Sequence, residues 1–171
     1  MIWLALAFAD PVAMRAPMDT PAATVGLHDA SVSASLGEEL PWVAAELATN
    51  GASTGASVGQ RWTLGSGVRR FQAGLAGGFL VPLVDPGVVL TGTAWLHGGW
   101  VGERGSFLAG AAAPVAVGAG GSRMPLLFEL QGGVVAGPVA VGARLAAGPV
   151  LTPGTDTSVF LEPALMLQLA P

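Results

Sequence analysis

Cysteine, lysine and tyrosine are absent from the 171-residue sequence, and charge of either sign is scarce. Without cysteine there is no disulfide, no thiolate metal site, no thiol nucleophile and no lipid-anchored N-terminal cysteine. Without lysine, the glycine-rich stretches Gly74-x-x-Gly77-Gly78 and Gly118 to Gly121 lack the cation of a phosphate-binding loop, and neither opens a helix. Only 11% of the residues are charged, against about 25% in soluble domains. That is too little charge to keep a whole surface wetted. The net charge of −4 leaves no basic footprint for nucleic acid. What the chain has instead is 51% hydrophobic residues, 26 glycines and 13 prolines. The apolar content excludes disorder, and so much glycine and proline argues against long helices.

The first nine residues are apolar and end in Ala7-Phe8-Ala9, a small-residue cleavage pattern followed at once by Asp10-Pro11. Residues 1–9 therefore read as an export signal. Residues 10–27, with Pro11, Pro17 and Pro21, read as an irregular arm. The remaining domain, 28–171, is dominated by period-two alternation. In 71–83 the apolar set Phe71, Ala73, Leu75, Phe79, Val81 and Leu83 interleaves with Gln72, Gly74, Ala76 and Gly78. The stretches 124–136, 139–151 and 159–169 repeat the pattern, and 56–64, 88–101 and 107–117 follow it less cleanly. Shorter segments at 30–36 and 42–48 complete nine in all. Turn residues separate them, among them Asp85-Pro86-Gly87, Gly102 to Gly105 and Gly137-Pro138. Connections this short predict antiparallel neighbours. Most segments run well past the five or six residues of a common soluble strand, and suit the roughly 9–11 of a tilted membrane-spanning one.

The second face decides what the first one meets. A water-facing surface needs Lys, Glu, Arg and Thr; here it is mainly Gly, Ala and Ser with a few isolated charges. Small residues suit the inside of a narrow barrel whose apolar side faces lipid. Glu129, Arg144 and Glu162 fall near the middle of three consecutive segments on that second face, and predict an interior carboxylate–guanidinium–carboxylate cluster. Glu46 and Arg61 predict a second interior pair. His97, Gln72, Gln131 and Gln168 lie on the same lumen-facing side.

On these residues the chain resembles the small bacterial outer-membrane β-barrel proteins, over about residues 28–171 and at the level of pattern. The resemblance implies an all-β, transmembrane, antiparallel up-and-down barrel of about eight strands, with ten as the other count. It also implies an outer-membrane location in a Gram-negative cell, contact with outer-membrane lipid, and handling by the barrel-assembly machinery. Two usual features differ: there is no tyrosine for an aromatic girdle, and Leu169-Ala170-Pro171 stands where such chains end in an aromatic residue.

No residue set points to catalysis, a cofactor or a metal. The two histidines, His28 and His97, have no acidic residue at metal-ligand spacing, and a histidine beside Thr91 and Thr93 reads as interior packing. The expected role is therefore structural or interactive. A narrow, porin-like channel for small or apolar solutes is the alternative. An outer-membrane lipid-modifying enzyme and a soluble secreted β-sandwich binding module follow. A helical membrane protein is a further reading, because 105–122 carries no charge, but five glycines and Pro114 interrupt that stretch.

Overall fold

The computed structural model describes residues 22–26, 29–35, 42–48, 53–65, 68–83, 87–119, 121–154 and 156–169. Side-chain surroundings are described from residue 53 onward and at Val25, Ala30 and Ala34. The signal segment 1–9 and residues 10–21 of the arm lie outside this set.

Every described element is a strand. In chain order they are β1 (Ala22–Gly26), β2 (Asp29–Ser35), β3 (Trp42–Ala48) and β4 (Ser53–Leu64), then β5 (Arg69–Pro82), β6 (Val89–Gly102) and β7 (Gly105–Gly118). After these come β8 (Gly121–Pro125), β9 (Leu127–Ala136), β10 (Val139–Leu151) and β11 (Ser158–Leu169). The helical reading of 105–122 is corrected here, because those residues form β7 and the start of β8. Its glycines and Pro114 weaken a helix, and alternation supplies a strand in its place. Among the described residues no helix is long and apolar enough to cross a membrane. Ala22–Gly26, inside the stretch read as an irregular arm, is strand β1. Pro21 ends the proline-rich run, and the residues after it keep their backbone donors.

The eight strands β4 to β11 form one antiparallel sheet with a partial ring. Successive strands pair from β4 to β7, β7 pairs with both β8 and β9, each of these pairs with β10, and β10 pairs with β11. Backbone pairings of β1, β2 and β3 continue from both ends, β11 to β1 and β3 to β4. The break between β8 and β9 falls inside the single segment expected at 124–136, and two prolines explain it. Ala112 faces Leu127 and Ala116 faces Arg123, which sets Pro114 opposite Pro125. Neither proline has a backbone N–H, so the ladder loses its donors there. Leu126 holds the line by donating its N–H to the Pro149 carbonyl at 2.9 Å. β8 and β9 are thus one line of chain, in continuous register with both neighbours.

Alternation sorts the side chains into two faces. Burial switches residue by residue along β11, where Glu162, Ala164, Met166 and Gln168 are buried and Leu161, Pro163, Leu165 and Leu167 are exposed. The tight turns have glycine where the backbone needs it: Gly137 has φ of 62° between β9 and β10, a value that costs glycine nothing.

Candidate functional site: a polar layer on the inner face

The register draws one layer of inner-face residues across six strands. Gln72 faces His97, His97 faces Gly110, Gly110 faces Glu129, Glu129 faces Ala146, and Ala146 faces Glu162. His97, Glu129 and Glu162 are each 1% exposed. Within the layer His97 Nε2 donates to Glu129 Oε2 at 2.7 Å, although a whole strand separates the two residues. Gly110 on that strand makes the reach possible. A Cβ there would run into the Leu96 carbonyl oxygen and the His97 ring, so the histidine leans over the position a side chain would occupy. Gly110→Ala should therefore cost about 1–3 kcal/mol of stability through overpacking. Denaturant unfolding beside an alanine substitution at an unobstructed glycine such as Gly87 measures the difference. Equal midpoints would contradict the packing described.

The two neighbouring layers differ in character. On one side Arg61 faces Gly74, Gly74 faces Trp95, Trp95 faces Ala112, and Ala112 faces Leu127. The Trp95 ring lies over Gly74, filling the space of a Cβ. Trp95, Ala112, Ala116, Leu127 and Ala146 make an apolar cluster there, with Phe160 against it. On the other side Gln131 faces both Leu108 and Arg144, and Arg144 faces Ala164. Smaller apolar pairs, Val101 with Leu108 and Ala140 with Met166, lie toward that end.

The residues picked out by sequence are placed as follows. Arg61, Gln72, His97, Glu129, Gln131, Arg144, Glu162 and Gln168 are all buried. The side chain of Glu46 lies outside the described set. Its backbone faces Gly55, three same-face steps along β4 from Arg61, and the expected pair rests on a side chain outside the described residues. Glu129, Arg144 and Glu162 stand on the neighbouring strands β9, β10 and β11 of the inner face, in an offset register. Ala146, not Arg144, stands opposite both glutamates, and Arg144 sits one same-face step away. The carboxylate of Glu129 is taken by His97, a pairing the sequence reading did not make.

The outer face carries the large apolar side chains. Leu64 is 67% exposed, Leu165 68% and Val159 80%. Trp62 and Trp100 point outward two residues from the ends of β4 and β6, and Phe71 and Phe107 point outward near the starts of β5 and β7. Because these strands run antiparallel, all four aromatics gather at one rim. Trp95, which by its parity with His97 belongs to the inner face, turns inward and takes no part in this belt. Among the described residues no group of three His, Cys, Asp or Glu is placed to hold a metal ion. Comparison with protein-family models, with curated proteins and with solved structures found no match, so the functional reading rests on geometry alone.

Proposed function

We propose that the chain is a small outer-membrane β-barrel protein of a Gram-negative bacterium, with a structural or interaction role and an interior closed by its own side chains. One observation carries this: the faces are inverted relative to a soluble protein. Charged and amide side chains are buried inside, and Leu, Val, Phe and Trp cover the outside. Monomeric soluble proteins rarely expose an apolar patch beyond a few hundred Å², whereas a membrane-spanning barrel requires an apolar outer band and a polar interior. The pairing of β1 with β11 supports closure, because a closed sheet leaves no unpaired edge in lipid. Counting β8 and β9 as one line, closure would take ten strands. The aromatic rim of Trp62, Phe71, Trp100 and Phe107 supports an interface at that level.

The interior favours a filled barrel over a narrow solute channel. The polar layer lies between the Trp95–Leu127 cluster on one side and the Leu108 and Met166 clusters on the other. The burial of His97 and Glu129 likewise favours a structural pair over a lipid-modifying centre, which would need its base at the lipid surface. Outer-membrane lipid is then the partner of the outer face, and the assembly machinery of that membrane the partner during biogenesis.

Refolding the chain from denaturant tests the reading. In detergent or lipid, a β-type circular dichroism spectrum and a gel mobility that changes on boiling are expected. A folded, monodisperse β-protein in plain buffer would overturn the membrane reading in favour of a secreted sandwich.

A further inference from the structure

We infer that the interior of this protein holds a site for one small inorganic monoanion, of halide size, at the guanidinium of Arg144. Arg144 is 3% exposed, and among the described residues its Nε, Nη1 and Nη2 all lack a hydrogen-bond partner. A guanidinium carries five N–H donors and cannot shed its charge. Buried charges are found paired for that reason, and an orphaned one calls for a counter-ion.

Among the described residues, the two interior carboxylates give Arg144 no hydrogen bond. Glu129 Oε2 is bonded to His97, and Glu162, on β11, faces Ala146 and not Arg144 in the ladder. Glu129 lies close enough for Coulomb attraction to Arg144, yet gives it no hydrogen bond. The residues bordering Arg144 are small. Gly142 and Ala146 flank it on the inner face of β10, Ala164 faces it from β11, and Gly133 lies one same-face step beyond Gln131 on β9. Together they leave little side-chain bulk in the ladder beside Arg144, which suits an ion better than an organic ligand. Gln131, directly opposite on β9, has its Oε1 without a partner among the described residues, and the other end of that amide is a further donor.

Charge and size both select the class of ligand. The nearby Glu129 carboxylate already offsets part of the Arg144 charge and repels anions in proportion to their charge, so the lowest anionic charge, one, is favoured. The site depends on the burial of Arg144 and not on what covers the outer face, so it survives if the membrane reading fails.

The test is denaturant unfolding of the full chain, refolded in detergent, in sodium chloride and in sodium gluconate at equal ionic strength. Gluconate is too large for the site. The expected result is an unfolding midpoint that rises with chloride and not with gluconate, following ligand linkage. Arg144→Gln should remove the difference between the two salts. Crystals soaked in bromide should show an anomalous peak within hydrogen-bond distance of Arg144. Identical chloride and gluconate curves for the unmodified chain overturn the proposal, as does bromide bound only at the surface. Should Arg144→Gln fail to fold, the comparison of the two salts on the unmodified chain still decides.

Discussion

His97→Ala should lower the stability of the folded chain by about 3 kcal/mol, the cost of leaving a buried carboxylate without its hydrogen-bond donor. The substitution leaves the Glu129 carboxylate 1% exposed without the donor that meets it at 2.7 Å. Glu129→Gln should cost less, because the amide oxygen still accepts from His97 Nε2, and a neutral hydrogen bond of this kind is worth about 1 kcal/mol. In a double-mutant cycle, His97→Ala with Glu129→Ala should lose less than the sum of the two single changes, with a coupling of about 0.5–3 kcal/mol. Urea unfolding of the detergent-refolded protein gives all of these values. A loss below about 0.5 kcal/mol for His97→Ala, the range of an ordinary surface change, would show that the pair does not hold the interior together.

The second large effect belongs to the outer face. Leu96 lies midway along β6 and is 56% exposed. If that face meets hydrocarbon, Leu96→Arg should cost about 2–4 kcal/mol when the chain is folded into lipid vesicles, the cost of an arginine at the bilayer midplane of a barrel. The same change on a water-exposed strand would fall within about 0.5 kcal/mol of neutral, so the sign of the conclusion does not depend on fine calibration. An arginine at the exposed Glu103 in the β6–β7 turn should be nearly silent in both settings. A Leu96→Arg variant as stable as the parent in vesicles would place the outer face in water.

The strands, their two faces and the burial of the polar residues were legible because period-two alternation is a local property. Each of Glu129, Arg144 and Glu162 could be assigned to the inner face from its immediate neighbours. Which of them meet is a matter of register, and here the sequence held information that alternation alone does not use. The two-residue turns Glu103-Arg104 and Gly137-Pro138 fix the pairing of Gly102 with Gly105 and of Ala136 with Val139. Counting outward from them sets His97 opposite Gly110 and Glu129 opposite Ala146, so the offset of Arg144 follows from turn positions. The β10–β11 connection, residues 152–157, is longer and gives no such count, so the place of Glu162 required the structure. The split at Leu126 was hidden for another reason. Pro114 and Pro125 lie on different segments, and their loss of donors coincides only once the strands are laid side by side.

Trp95 shows the same limit from the packing side. Its inward direction follows from its parity with His97, but the indole needs room, and Gly74 supplies it on the adjacent strand. That complementarity between a large residue and a glycine across a ladder is invisible to a reading that takes one segment at a time. It also separates Trp95 from Trp62 and Trp100, which point the other way.

Those tryptophans supply the most direct test of the central claim, that the apolar face meets lipid and the charged face is enclosed. Variants retaining only Trp62, only Trp100 or only Trp95 would be refolded into vesicles whose acyl chains carry bromine, and their fluorescence compared with that in unbrominated vesicles. Trp62 and Trp100, 47% and 44% exposed, should be quenched by the brominated chains, while Trp95, 5% exposed, should be quenched far less. Quenching of Trp62 and Trp100 by aqueous iodide, with no effect of brominated lipid, would contradict the account.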